Sequence, residues 1–129
     1  MASHTHPLTV FLAEDSAAIR ERVGSLLSES AMQVVGEGDS PQACITGILR
    51  ARPDVVVLDC QLDGGSGLEV LQAVRRADPG IAFVVFSNTT AAPYRKRYLA
   101  AGAVRFLDKS AEFEQLADAV AGARPPLPH

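Results

Sequence analysis

The chain has 129 residues, of which 47% are hydrophobic and 21% charged, and its formal net charge is −3. This length suits one domain with a real core, and this balance excludes a disordered chain. The acidic balance also argues against a nucleic-acid-binding domain, which shows a basic face, and no apolar run is long enough to span a membrane.

Residues 1–7 lack the basic and apolar regions of a signal peptide and are expected to form a flexible arm, with His4 and His6 solvated. Residues 8–13 form a short apolar run, the first predicted strand, and Glu14-Asp15 follow it. Asp15 or Ser16 can cap a helix over 17–28, whose apolar residues Ile19, Val23, Leu26 and Leu27 share one face. A weaker strand is read over 33–36. Ser40-Pro41 then starts a helix, with a capping hydroxyl before Pro at the first helical position. Cys44, Ile45, Ile48 and Leu49 are its stripe, and Arg52-Pro53 ends it because the residue before Pro disfavours the α region. The run Val55-Val56-Val57-Leu58 reads as a strand buried on both faces, with Asp59 where it runs out.

Ser66-Gly67-Leu68-Glu69 has the pattern of a capping box, and the helix behind it buries Val70, Leu71 and Val74 up to about residue 76. Asp78-Pro79-Gly80 is a turn. Residues 81–86 are a second fully apolar strand, with Ser87-Asn88 at its end. A helix over 93–101 stops at Gly102, and a last strand over 104–107 leads to Asp108-Lys109. Ser110 is expected to cap a final helix that buries Phe113, Leu116 and Val120, up to a Pro-rich tail over 123–129. Cys44 and Cys60 make neither a disulfide framework nor a zinc spacing, which fits a reduced, cytoplasmic setting.

Strands alternating with helices across short joints give a parallel sheet covered on both faces. Parallel strands share one carboxyl edge, where ligands gather, and neighbours lie about 4.8 Å apart. The strands deliver Glu14, Asp15, Asp59, Ser87 and Lys109 to that edge. Carboxylates that close raise each other's pKa unless a cation sits between them, and an all-oxygen set with room for water suits Mg²⁺.

The stretches Phe11-Leu12-Ala13-Glu14-Asp15, Val57-Leu58-Asp59, Gly67-Leu68-Glu69, Val85-Phe86-Ser87-Asn88 and Ala101-Gly102-Ala103-Val104-Arg105-Phe106-Leu107-Asp108-Lys109-Ser110 carry a resemblance. In order and spacing they resemble the receiver domain of two-component response regulators, over residues 8–122. The resemblance implies a flavodoxin-like (βα)5 three-layer sandwich with strand order 2-1-3-4-5. It implies that Asp59 takes a phosphoryl group from the phosphohistidine of a sensor histidine kinase or a histidine phosphotransfer protein. Glu14, Asp15, Asp59 and the backbone carbonyl of Gln61 would hold Mg²⁺, and Lys109 would pair with Asp59. Ser87 would turn toward the phosphoryl group, and Phe106 would follow it inward as the switch aromatic. The face of the fourth helix, fifth strand and fifth helix would meet a downstream protein target. Such a module catalyses only its own phosphotransfer and autodephosphorylation.

The sequence departs from the family pattern at several positions. Glu14 stands where the commonest pair is Asp-Asp, and its longer arm is still expected to reach a metal. Asp63, before Gly64-Gly65, stands where Pro is usual, so that loop is expected to be looser. Ser110 replaces a Pro common in a cis bond; a non-proline cis bond costs about 2.5–4 kcal/mol, so a trans peptide is expected. Asn88 is bulkier than the usual small residue and is expected to narrow the path of attacking water.

Two other functions compete. One is a phosphorylation-independent interaction or adaptor module that keeps only the fold, against which intact Asp59 and Lys109 argue. The other is a phosphatase with an aspartyl-phosphate intermediate; it wants a second Asp two after the nucleophile, where this chain has Gln61. With no output domain in view, the reading is a stand-alone regulator or a relay intermediate acting on proteins rather than DNA. Arg95-Lys96-Arg97 reads equally as a solvated helix face and as a contact for an acidic partner.

Overall fold

In a computed structural model, residues 7–123 are described. The expected arm and Pro-rich tail, with His4 and His6, fall almost wholly outside them. Five parallel strands, β1 (Thr9–Ala13), β2 (Gln33–Gly38), β3 (Val55–Leu58), β4 (Ala82–Ser87) and β5 (Arg105–Asp108), lie in the order β2-β1-β3-β4-β5. They alternate with α1 (Ala17–Glu29), α2 (Pro41–Ala51), α3 (Gly67–Ala77), α4 (Ala92–Ala100) and α5 (Leu116–Ala121). This is the expected flavodoxin-like sandwich.

β3 occupies the middle of the sheet because it can be buried on both faces. Val56 and Leu58 belong to the core under α2, α3 and α4, with Phe11, Val70, Leu71, Phe83 and Val85. Val55 and Val57 belong to the core under α1 and α5, with Leu12, Val23, Leu27, Phe86 and Leu116. Each of these four β3 side chains contributes about 1.5–3 kcal/mol by leaving water. The strand is also pinned at its start. Asp54 Oδ2 accepts hydrogen bonds from Thr9 N at 2.8 Å and Thr9 Oγ1 at 3.1 Å, and Thr9 Oγ1 accepts one from Asp54 N at 3.0 Å.

Helix starts follow the expected chemistry. Ser16 Oγ accepts from Ile19 N and Ser40 Oγ from Ala43 N, both at 3.2 Å. Ser66 and Glu69 form the reciprocal capping box. The Lys109–Ser110 peptide is trans, as expected, and no described peptide is cis.

Three expectations need correction. β2 runs to Gly38 rather than stopping at Gly36, and its pairing with β1 shifts register between Val10 and Phe11. Gly36 is there because the ring of Phe11 lies against it: a Cβ at Gly36 would sit 2.9 Å from that ring, and one at Gly47 on α2 would sit 2.8 Å away. The loop after Asp59 is not loose. Gln61 pairs with Ser66 and Leu62 with Gly65 in a small antiparallel hairpin turned by Gly64 at φ +85°, and Asp63 N donates to Asp39 O at 2.9 Å.

Ser110 does not cap the last helix. Its hydroxyl and its backbone N–H both donate to Asp108 Oδ1 at 2.8 Å, and Glu112 Oε1 accepts from Asp108 N at 2.8 Å. The carboxylate of Asp108 is the stronger acceptor, and these bonds hold it below its ordinary pKa. The chain therefore makes a turn first. A 3₁₀ turn at Phe113–Gln115 then leads into α5.

Candidate functional site

The carboxyl edge carries the chemistry because each strand ends one residue before, or at, a polar side chain. Glu14 follows β1, Asp59 follows β3, Ser87 closes β4, and Lys109 follows β5. Backbone bonds fix their spacing: Asp59 N donates to Ala13 O at 3.0 Å, and Lys109 N to Ser87 O at 2.9 Å. β1 and β3 are adjacent in the sheet. Crossovers leave them toward opposite edges, and such a switch point opens a crevice.

Lys109 Nζ sits between two carboxylates, 2.7 Å from Glu14 Oε1 and 3.0 Å from Asp59 Oδ2. All three side chains are nearly covered, at 9%, 8% and 10% exposure for Lys109, Glu14 and Asp59. Burial pushes the Glu14 carboxyl up, and the charge on Asp59 adds to the rise; hydrogen bonds from Lys109 and Ser16 offset only part of it. Burial also disfavours the ammonium of Lys109, but the hydrogen bonds and charges of Glu14 and Asp59 outweigh it and the net shift is upward. Lys109 is therefore held charged.

Glu14, Asp15 and Asp59 each offer a carboxylate oxygen, and these oxygens lie within 4.8 Å of one another. One hard cation can be shared at that spacing, and Asp15 is exposed, so the set stays open to water. The donor chemistry fits Mg²⁺. Gln61 lies in the hairpin, and its backbone N–H reaches toward Asp59 Oδ1 at 3.5 Å.

The remaining expected residues stand close by. Ser87 is buried, and its Oγ accepts from Thr89 N at 3.0 Å. Phe106 is also buried, edge-on to Tyr98 with centroids 6.0 Å apart. Arg95 reinforces it, with its guanidinium 4.9 Å from the Phe106 ring centre and Nη1 donating to Phe106 O at 2.8 Å. Asn88 is exposed just beyond Ser87.

Sequence reasoning missed three supporting residues. Arg20 Nη1 donates to Glu14 O at 2.7 Å while its Nε pairs with Glu37 at 3.2 Å, which braces the loop after β1. Gly67 packs against the carbonyl oxygen of Asp59, leaving no room for a Cβ. The hydroxyl of Tyr98 donates to Cys60 O at 3.4 Å, one residue past Asp59. All three act on backbone carbonyls, and the hydrophobic periodicity of a sequence does not report such contacts.

Residues 10–121 match the response regulator receiver domain family. The chain is 31% identical over 114 residues to the transcriptional regulatory protein DesR of Bacillus subtilis, covering 88% of this chain and 56% of that protein. It is 33% identical over 110 residues to the probable transcriptional regulatory protein TcrX of Mycobacterium tuberculosis, covering 85% and 47%. The chain thus spans about half the length of the curated relatives it matches. Among solved structures, the signal receiver domain of the NarL response regulator of M. tuberculosis superposes with a TM-score of 0.84 at 29% identity, covering 91% and 95% of the two chains. The response regulator TrrA of Thermotoga maritima, in complex with Mg(2+)-BeF, superposes at 0.78 with 23% identity over 88% and 96%. That last likeness is one of fold.

Proposed function

The chain belongs to the response regulator receiver domain family of two-component signalling, and from that premise we propose that Asp59 is its phosphoacceptor. The observation that carries this reading is the buried ion pair of Asp59 with Lys109, at 3.0 Å, inside the cluster of Glu14, Asp15 and Asp59. An oxygen of Asp59 attacks phosphorus, an O–P bond forms, and the P–N bond to the donor histidine breaks with its electron pair leaving on the imidazole. Phosphoryl transfer of this kind depends on positioning and charge neutralisation more than on covalent help.

Each residue then has a role. Glu14, Asp15, Asp59 and the carbonyl of Gln61 would hold the metal. Held there, Mg²⁺ would supply positive charge to the phosphoryl oxygens. Lys109 exchanges part of its bond with Asp59 for a phosphoryl oxygen. Ser87 gives up the N–H of Thr89 and donates its hydroxyl to another phosphoryl oxygen. Phe106, already packed inside, locks that arrangement rather than entering from solvent.

The donor is a sensor histidine kinase or a histidine phosphotransfer protein, and the chain turns over no outside substrate. The face of α4, β5 and α5 meets the downstream protein, and the setting is cytoplasmic. Among the described residues no helix is long and apolar enough to cross a membrane. Asn88 shields the phosphoryl group, so Asn88→Ala shortens its lifetime.

The test is incubation with acetyl phosphate and Mg²⁺ followed by intact-mass measurement. One phosphoryl increment is expected, absent in Asp59→Ala and absent with chelator. An unmodified wild type would leave a phosphorylation-independent interaction module as the reading.

A further inference from the structure

α4 carries Arg95, Lys96 and Arg97 and no acid, in a chain of net charge −3. Arg95 is already used, on the carbonyl and ring of Phe106. Arg97 has no side-chain hydrogen bond or ion pair among the described residues. Tyr94, Arg97 and Tyr98 stand three and four positions apart, so they share one helix face. That face, whose Tyr98 also packs edge-on against Phe106 of β5, lines a groove of about 360 Å³ against the hairpin and the start of α3. Cys60 and Tyr98, both 3% exposed, form its floor, and Leu68 is half-buried beside them. Tyr94, 49% exposed, and Arg97 stand at its rim.

An apolar floor beneath an unpaired guanidinium and an exposed tyrosine has the make-up of an interface centre, where Tyr and Arg are enriched. The charge selects the occupant, because a cationic rim on an acidic protein favours a segment of opposite sign. We infer that this groove docks an acidic segment of a partner protein, with an apolar side chain on Leu68 and Tyr98 and a carboxylate on Arg97.

Its regulation rests on the phosphoacceptor reading. Thr89 lines the groove, and its N–H is held by Ser87 Oγ at 3.0 Å. Cys60 directly follows Asp59, and its carbonyl accepts from Tyr98. A Ser87 hydroxyl drawn to a phosphoryl group releases the Thr89 wall. The affinity of the groove therefore changes with the state of Asp59.

The probe is a short synthetic peptide alternating Glu and Leu, titrated into ¹⁵N-labelled protein while amide shifts are followed. Saturable shifts are expected over residues 60–68 and 89–98. Arg97→Glu, an exposed change whose fold circular dichroism checks, should weaken binding about tenfold or more, and a peptide with Lys in place of Glu should not bind. Absent shifts, shifts that miss residues 60–68, or an affinity indifferent to Arg97→Glu would each overturn the docking site. So would a dimer, seen by sedimentation, that Arg97→Glu dissolves, because the groove would then belong to a second copy. Repeating the titration with acetyl phosphate and Mg²⁺, with intact mass in parallel, separates the two proposals. Groove binding without a phosphoryl adduct sinks the phosphoacceptor reading alone, whereas an adduct without groove binding in either state sinks the groove alone.

Discussion

Replacing Lys109 by Met keeps the aliphatic stem and removes the only ammonium bonded to Glu14 and Asp59 among the described residues. Two nearly buried carboxylates then face each other with oxygens no more than 4.8 Å apart. At that distance, and at an effective dielectric constant of about 20, their repulsion is about 3.5 kcal/mol. Breaking a buried pair by deleting one partner costs about 3–5 kcal/mol, so the two routes agree on the size of the loss. Urea unfolding followed by circular dichroism, at neutral pH with chelator, should show it. Saturating Mg²⁺ should restore much of it by returning positive charge to the same oxygens. Acid should narrow the gap as well. The Glu14 carboxyl titrates above its unfolded value of 4.5, so in the variant it takes a proton as pH falls toward that value and the repulsion ends. Adding Glu14→Gln should rescue Lys109→Met at neutral pH, a coupling that a double-mutant cycle reads directly. A loss below about 1 kcal/mol, or one unmoved by Mg²⁺, pH and Glu14→Gln, would refute the electrostatic account.

Glu14→Gln alone should raise the urea midpoint at pH 7 and weaken Mg²⁺ binding. A carboxyl whose pKa is raised on folding stabilises the fold below pH 4.5 and loses that contribution as pH climbs through its folded value, so the gain should vanish in acid. Both thiols should resist a disulfide reagent in the native state. Burial pushes Cys44 to about 12, so its reaction at pH 8 should be about 10³-fold slower than for a free thiol; burial raises Cys60 as well, so it too should react more slowly, and either thiol reacting at the free rate would contradict this. Gly67→Ala should cost about 1–3 kcal/mol and slow phosphoryl uptake, because its Cβ meets the Asp59 carbonyl and Leu58. Gly24→Ala, in α1 with nothing within 4 Å, should instead stabilise by about 0.5–1 kcal/mol in the same urea assay.

The parts of the fold that were readable in advance are those with a local signal. An unbroken β-branched run gives β3, and a Ser–Glu pair three apart gives the start of α3. The edge residues were readable for the same reason, since a charge directly after an apolar strand has few structural uses. The end of the chain misled because Ser110 offers a capping hydroxyl but Asp108, two residues earlier, binds it first. The loop after Asp59 looked slack from its glycines, yet Gly64 supplies the left-handed turn that closes a hairpin. α4 had little pattern to read: Tyr98 is its only buried residue, and the groove it floors depends on a hairpin far away in sequence. Arg20 and Gly67 act on backbone carbonyls of the site, and such contacts leave no periodic trace.

The ring of Phe11 has a wider bearing on how this chain can drift. It fills a slot between β2 and α2 that exists only while positions 36 and 47 lack side chains. Three sites remote from one another in sequence therefore change as a set. A smaller residue at 11 would permit alanine at both glycines, whereas alanine at either first would strand the ring. Relatives that carry a slimmer residue at this point of β1 should be the ones in which those two glycines have gone.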